Sequence, residues 1–429
     1  MKKFKSKIDF DVVLLGLNWY REKDPRTPMG LALIAAFAKE HLQFSEGNHL
    51  QIINSDVRSN LSTILHQILE VNPRILGIGV YVWNIVQIQQ IIFALRKLGY
   101  SGKIVLGGPE ITYGDESLKR EFPDADYFVK GDGEKAFTEI IKYEANYLNN
   151  LSQGIFRQTS TDFVGFAKVE YSEIVSPFLN TEYLIDLIGI SEYGFTRWQT
   201  QRGCLYRCSF CAFPNGYKSF KEQDLELVEK ELNVFKEKAV KEVAVLDPIF
   251  FVNKERARAI LLLIDRICPE IRFEIQTKLE HLDEELLRII SQLNIFLECG
   301  VQTLDPIVQQ EIRRLNHKDK MINILSLLSI YEIEFEVHLI YGLPKQTLRS
   351  LRNDYNILSK YTSEIKLFPL ILLKGTGLDI HIKNSVSEDF TFSPIFSREI
   401  ISTKWIDSQT IMRIKQHDCE LFQYRSLSV

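Results

Sequence analysis

Apolar positions along this chain fall into short blocks, and amphipathic stretches separate them. From residue 9 the blocks Phe10–Gly16, Leu50–Asn54, Arg74–Val80, Lys103–Leu106 and Asp126–Val129 read as buried strands. The stretches Leu31–Leu42, Leu61–Glu70, Ile85–Leu98 and Glu134–Tyr147 carry helical periodicity. Strands that alternate with helices predict a parallel sheet covered on both faces. A second series starts at Phe195 with a longer beat. Its predicted strands are Phe195–Gln201, Glu242–Leu246, Arg272–Leu279, Ile295–Thr303, Phe335–Leu343 and Lys366–Leu373, with helices at Asp224–Lys238, Lys254–Ile267 and Asp283–Leu293. Six such repeats predict a partial barrel of parallel strands.

The fold class expected is therefore α/β: an N-terminal doubly wound, Rossmann-like parallel sheet, then a partial (βα)6 TIM-like barrel. The expected divisions are 1–150 for the first domain, 151–194 for a linker, 195–377 for the barrel and 378–429 for a C-terminal cap. The linker lacks a helical period and is rich in aromatics, so we expect it to pack against both domains. Within it Val164–Tyr171 alternates like a strand, and Ser176-Pro177-Phe178-Leu179 reads as an extended tether. In the cap, Ser408–Phe422 looks helical, and Trp405 and Tyr424 are expected to help cover the barrel's open side. In open parallel sheets ligands sit outside the carboxyl ends of the strands. On the first sheet that edge carries Leu17–Tyr20, Val80–Trp83, Gly107-Gly108-Pro109-Glu110 and Gly131-Asp132-Gly133-Glu134.

Composition narrows the classes. The 429 residues are 45% hydrophobic and 25% charged, an ordinary globular balance. The net charge of −4 argues against a general nucleic-acid binder. No apolar run is long enough to cross a bilayer. The basic start Met1-Lys2-Lys3-Phe4-Lys5-Ser6-Lys7 runs into Ile8-Asp9-Phe10-Asp11, whose acids spoil a signal-peptide core. Six cysteines, three clustered and three scattered, do not make a disulfide framework. A reducing cytoplasm is the expected setting.

The chemistry concentrates at Cys204-Leu205-Tyr206-Arg207-Cys208-Ser209-Phe210-Cys211, where the spacing is C-x3-C-x2-C. Gly203 before the first thiol suits a tight turn. Thiolates ligate iron–sulfur clusters and zinc. Three of them can hold a [4Fe-4S] cluster with one iron left open, or form part of a structural zinc loop.

This spacing resembles that of the radical S-adenosylmethionine (SAM) enzymes, in which the open iron chelates SAM and one electron cleaves a C–S bond of the sulfonium. The resemblance implies Cys204, Cys208 and Cys211 as metal ligands and Phe210 near the adenine. Further similarities follow in order: Asp247-Pro248-Ile249-Phe250-Phe251-Val252-Asn253, Glu298-Cys299-Gly300-Val301-Gln302-Thr303, Ile340-Tyr341-Gly342-Leu343-Pro344 and Leu373-Lys374-Gly375-Thr376. They imply Glu298, Gln302 and Gly342 as SAM-side residues. The first domain resembles the cobalamin-binding domain that precedes the barrel in cobalamin-dependent members. The resemblance rests on Pro28-Met29-Gly30-Leu31 and the two glycine loops, and implies Gly107, Gly108, Gly131, Gly133 and Glu134 as cofactor contacts. The D-x-H-x-x-G motif that supplies a cobalt ligand elsewhere is missing, and the first loop reads Leu17-Asn18-Trp19-Tyr20-Arg21.

Departures fall on the substrate side. His338 stands where many relatives carry an acid, Lys345-Gln346-Thr347 replaces Gly-Glu-Thr, and Lys374 replaces a proline. We expect His338 to be a buried histidine satisfied by a neighbour, with proton donation as the sharper alternative. Cys299 is expected to be a buried thiol, the alternative being a radical relay, and Cys268 and Cys419 are expected to be structural. Asp247 is open between a strand-end support and a substrate contact. The function implied is reductive cleavage of SAM, with cobalamin, for methylation or another radical transformation of an unidentified small molecule, fed by an electron donor such as flavodoxin or ferredoxin. Alternatives are a cobalamin-independent radical enzyme or a non-catalytic metal-binding scaffold.

Overall fold

The structure is a computed structural model that describes residues 5–179, 194–213, 220–384, 389–394 and 398–416. The chain divides into two compact units, Met1–Arg197 with Glu237–Val240, and Trp198–Lys236 with Lys241–Val429. No helix among the described residues is long and apolar enough to cross a membrane.

The first unit is built on six strands: β1 (Val12–Asn18), β2 (Leu50–Asp56), β3 (Ile75–Gly79), β4 (Lys103–Gly107), β5 (Tyr127–Val129) and β6 (Ile155–Arg157). Their order is β2-β1-β3-β4-β5-β6. The first five run parallel, and β6 adds an antiparallel edge. Central β1 is buried along nearly its whole length, which its unbroken Val-Val-Leu-Leu run requires. The helices α1 (Met29–His41), α2 (Leu61–Val71), α3 (Ile85–Lys97) and α4 (Gly133–Glu144) connect the strands. Asn60 caps α2 by accepting from Ser62 N at 2.9 Å, and Asn72 ends the helix in the left-handed region. Ile64 and Ile68 of α2 join Ile88, Ile91, Ile92 and Leu95 of α3 in one apolar cluster with β1, β3 and β4.

Three expectations in 151–179 need correction. Ile155–Arg157 is a strand of the first sheet. Val164–Tyr171 is not a strand; it makes a single bridge, Gly131 with Ala167. Gly165 has φ +108°, which breaks extended backbone there. Pro177–Leu179 forms a turn of 3-10 helix, not an extended tether.

The second sheet runs in chain order: β7 (Phe195–Trp198), β8 (Glu242–Val245), β9 (Arg272–Thr277), β10 (Ile295–Gln302), β11 (Glu334–Tyr341) and β12 (Ile365–Pro369). From β8 to β12 every pairing is parallel. The connecting helices are α5 (Leu225–Glu237), α6 (Lys254–Ile267), α7 (Glu284–Ile290), α8 (Pro306–Glu311), α9 (Lys318–Ile330) and α10 (Leu348–Leu358). α11 (Gly377–Asn384) and α12 (Ser408–Lys415) follow β12. This is the partial α/β barrel that the second hydrophobic beat predicts. A short hairpin pairs Phe390–Phe392 with Ile400–Thr403, and Trp405 packs edge-on against Phe390 at 5.9 Å. Cys419 and Tyr424 lie outside the described residues.

Candidate active site

The cysteine loop leaves the carboxyl end of β7 and is fastened at several points. Gly203 takes φ +84° just before the first thiol. Upstream, the buried Asp247 carboxylate accepts from Thr200 N at 2.8 Å, from Gln201 N at 2.9 Å and from Thr200 Oγ1 at 2.5 Å. Asp247 is therefore a support of the loop's root. The other end of its motif, Asn253, caps α6 by accepting from Arg256 N at 3.2 Å. Between the second and third thiols, Ser209 N donates to Ile312 O at 2.8 Å, and Ser209 O accepts from Leu378 N at 2.7 Å. Backbone from two later segments thus holds the loop on both sides.

Cys208 is buried, and Cys204 and Cys211 are half-buried. Burial pushes the Cys204 thiol up, and it pushes Cys211 up to about 11, with the neighbouring sulfurs adding to both. A metal must therefore displace protons here. Two sulfurs already accept hydrogen bonds: Cys208 Sγ from Arg314 Nη1 at 3.7 Å, and Cys211 Sγ from Phe213 N at 3.4 Å. Donors aimed at sulfur suit cluster-bound thiolates. Among the described residues no three His, Cys, Asp or Glu side chains converge on one ion. A tetrahedral zinc needs its sulfurs about 2.3 Å from a single point; in a four-iron cluster each thiolate takes its own iron. The donor set of this loop fits the cluster.

Along β10 burial alternates strictly. Leu297, Cys299 and Val301 are buried, and Glu298, Gly300 and Gln302 face the more open side. Register places Gln276 of β9 and Glu336 of β11 beside Glu298, and His338 beside Gly300. Glu336 Oε1 lies 2.6 Å from His338 Nε2, and Phe368 packs edge-on to the imidazole at 4.9 Å. His338 is satisfied by a neighbour, as expected, but it is half-buried where a buried histidine was expected. Cys299 is fully buried, and burial holds its thiol well above the usual range.

Gln302 is the unusual residue of this edge. It has φ +70° next to a break in the β10–β11 register, and its Oε1 is buried without a partner. A strained non-glycine residue with an unmet acceptor marks a place built for a ligand. Behind it, buried Asp354 accepts from Thr303 Oγ1 at 2.7 Å and from Leu304 N at 2.9 Å. At the end of β11, Gly342 takes φ +83°, and a Cβ there would meet Ile400 at 2.8 Å. Gln346 accepts from Gly342 N at 2.8 Å and donates to Ile340 O at 2.9 Å. The Gln in place of the usual Glu thus staples this turn.

In the first unit the strand order reverses at β1, so the crevice opens between the loops after β1 and β3. Fully buried Asn84 joins them by donating to Leu17 O at 2.9 Å and Gly79 O at 3.1 Å. Trp19 and Trp83 stand 61% and 39% exposed on these loops. Tyr81 stacks on Trp83 at 4.5 Å. The glycines of this edge differ in kind. A Cβ at Gly108 would strike Val80 O at 2.6 Å, at Gly131 Ala167 O at 2.3 Å, and at Gly133 Ile34 at 2.7 Å. The chain's own packing fills the space at these three. Gly107 is open, with Val129 at 3.9 Å as its nearest neighbour, and so is Gly30, with the Tyr81 hydroxyl at 3.8 Å. Asn54 donates to Thr27 Oγ1 at 2.8 Å, and its buried Oδ1 has no partner. The open Cβ space at Gly107 and Gly30 and, separately, the orphaned acceptor of Asn54 fit a ligand at this edge. Glu134 is buried in the first turn of α4.

The Radical SAM superfamily profile matches residues 198–358, and the B12 binding domain profile matches residues 24–141. The chain therefore carries a radical SAM domain with a B12-binding domain ahead of it. It is 23% identical over 338 residues to an uncharacterized methyltransferase of Pyrococcus horikoshii, covering 75% of this chain and 70% of that one. It is 22% identical over 396 residues to the cobalamin-dependent radical SAM methyltransferase TokK of Streptomyces tokunonensis, covering 86% of this chain and 56% of TokK. Its fold is similar to that of the radical SAM methyltransferase TsrM of Kitasatospora setae, solved with cobalamin and a [4Fe-4S] cluster, with a TM-score of 0.71 and 18% identity over 91% of this chain and 81% of that one.

Sequence reasoning missed Asn84, Ser209, Lys278 and Arg314. Ser209 lies within the cysteine run and the other three in no distinctive run, but each matters through partners distant in sequence. Glu336 was within reach, because two positions on a strand share a face with His338.

Proposed function

We propose that this protein is a cobalamin-dependent radical SAM methyltransferase acting on a small molecule. One observation carries the reading: a single chain joins a fastened three-cysteine loop at a barrel's carboxyl edge to a B12-binding domain whose switch-point edge has open glycine positions. Cys204, Cys208 and Cys211 would hold the [4Fe-4S] cluster. Phe210, Glu298 and Gln302, with the Gly342 turn, would line the SAM side. Gly107 and Asn54 would meet cobalamin directly, while Gly108, Gly131, Gly133 and Glu134 shape the loops around it. When bound, these groups supply the electron that cleaves SAM and the methyl carrier.

The chain's own residues do the rest. Asp247 and Ser209 fix the thiol spacing. The Gln302 amide is held with its acceptor unmet. The paired Glu336 and His338 present a polar wall beside Gly300, whose missing side chain gives its place to the Gln302 amide and the Arg314 guanidinium. The protein would draw its electrons from a flavodoxin or ferredoxin in a reducing cytoplasm.

The test is anaerobic reconstitution with iron, sulfide and hydroxocobalamin, followed by desalting and metal analysis, then dithionite and SAM with product analysis. About four irons with stoichiometric cobalt and SAM turnover support the proposal. About four irons without cobalt would sink the cobalamin part.

A further inference from the structure

Two buried cations flank the cysteine loop. Arg314 is 9% exposed, and its Nη1 donates to Cys208 Sγ at 3.7 Å while its Nη2 donates to Gly300 O. Its Nε is buried with no acceptor. Among the described residues no carboxylate pairs with this guanidinium. A charge taken out of water without a counter-charge is expensive. Nothing about the backbone of Gly300 requires a cation, since a neutral amide could donate to it equally well. The nearest candidates for negative charge are the thiols: Arg314 acts electrostatically on both Cys204 and Cys211 as well as bonding Cys208.

The side chain is also held in place. Lys278 Nζ donates to Leu315 O, next to Arg314, at 2.8 Å. It pairs with Glu280 at 3.1 Å and sits 4.9 Å over the ring of Tyr206, inside the cysteine loop. Asn316 donates to Val301 O and Thr303 O, both at 3.0 Å. The backbone that carries Arg314 is thereby stapled to the end of β10, and the guanidinium itself is tied there by its bond to Gly300 O.

We infer that Arg314, positioned by Lys278 and Asn316, sets the reduction potential of the cluster held by Cys204, Cys208 and Cys211. The inference rests on the cluster reading above. Reduction adds one negative charge to a cluster that already carries three thiolates. A buried guanidinium that donates to one of those sulfurs favours the reduced form and moves the potential upward.

The experiment uses full-length wild type, R314Q and R314K, each reconstituted anaerobically, with iron and sulfide measured first. Midpoint potentials are then read by EPR-monitored redox titration without SAM. The expected result is a full cluster in all three, a midpoint for R314Q more negative than wild type, and R314K between them. A loaded R314Q with an unmoved midpoint overturns the inference. A second readout needs no neutral variant. In protein made with isotopically labelled arginine, the reduced wild-type cluster should show a coupling to guanidinium nitrogen that R314K has weakened or lost. Wild type lacking that coupling overturns the inference even if R314Q fails to fold. Wild type that takes up no iron overturns the cluster reading itself, a result distinct from a loaded cluster at an unmoved potential.

Discussion

At the residue scale, two buried acids support the site without facing it. Asp247 was legible only as a motif position, because a sequence does not show that its carboxylate turns back onto Thr200 and Gln201. Burial pushes it up to about 6 against three hydrogen bonds that pull it down, and burial does the same to Asp354. An acid whose folded pKa lies above its unfolded value of 3.8 binds its proton more tightly in the native state. Its contribution to stability is therefore full below pH of about 4 and is lost as pH rises through about 6. We predict that D354N flattens this dependence: its urea midpoint should change less than that of wild type between these two pH values. D247A should act locally, lowering iron retention after reconstitution while far-UV circular dichroism stays the same. A D247A protein with full iron would show that the loop root does not need this tie.

At the element scale, the carboxyl end of β10 and the backbone beneath β5 show why periodicity predicts strands better than their ends. Burial alternates along Ile295–Gln302 because period two follows from backbone geometry. That period gives no sign of the left-handed Gln302, which tertiary bonds to Thr303, Leu304 and Asn316 enforce. Holding a non-glycine residue there costs about 1–2 kcal/mol. Q302G should therefore match or exceed wild-type stability in chemical denaturation and yet bind SAM more weakly by equilibrium dialysis. A loss of stability without a loss of affinity would assign Gln302 to the scaffold. Glycine loops divide in a similar way. Sequence marks them all as permissive, but a Cβ at Gly154 would lie 1.9 Å from Ala167 N at φ +89°, whereas Gly47 at φ +83° has nothing within 4 Å. G154A should destabilise by more than about 3 kcal/mol, and G47A by only about 1 kcal/mol. Calorimetric midpoints of the two variants check the contrast.

At the scale of the whole molecule, two hydrophobic beats separated by an irregular stretch were enough to foretell two α/β units. Strand order needed no tertiary knowledge in the second unit, where it follows the chain. The edge strand Ile155–Arg157 was not legible. Three residues carry too little period to stand out, and their pairing with β5 is non-local. Each unit has its own sheet and its own buried core, and each carries one candidate cofactor edge. Among the described residues, the ties of the cysteine loop named above, to Asp247, Ile312, Leu378 and Arg314, all lie within the second unit. Cofactor loading should then be separable. The triple variant C204A/C208A/C211A should bind no iron and still take up about one equivalent of hydroxocobalamin with the spectrum of the wild-type complex. The reciprocal variant, G107W, fills the open position at the end of β4 and should retain about four irons while losing cobalt. Parallel iron and cobalt analysis of both variants decides the matter. If removing the thiols also abolishes cobalt uptake while the thermal midpoint is preserved, the two sites depend on each other, and the cobalamin site cannot be the edge of the first unit alone.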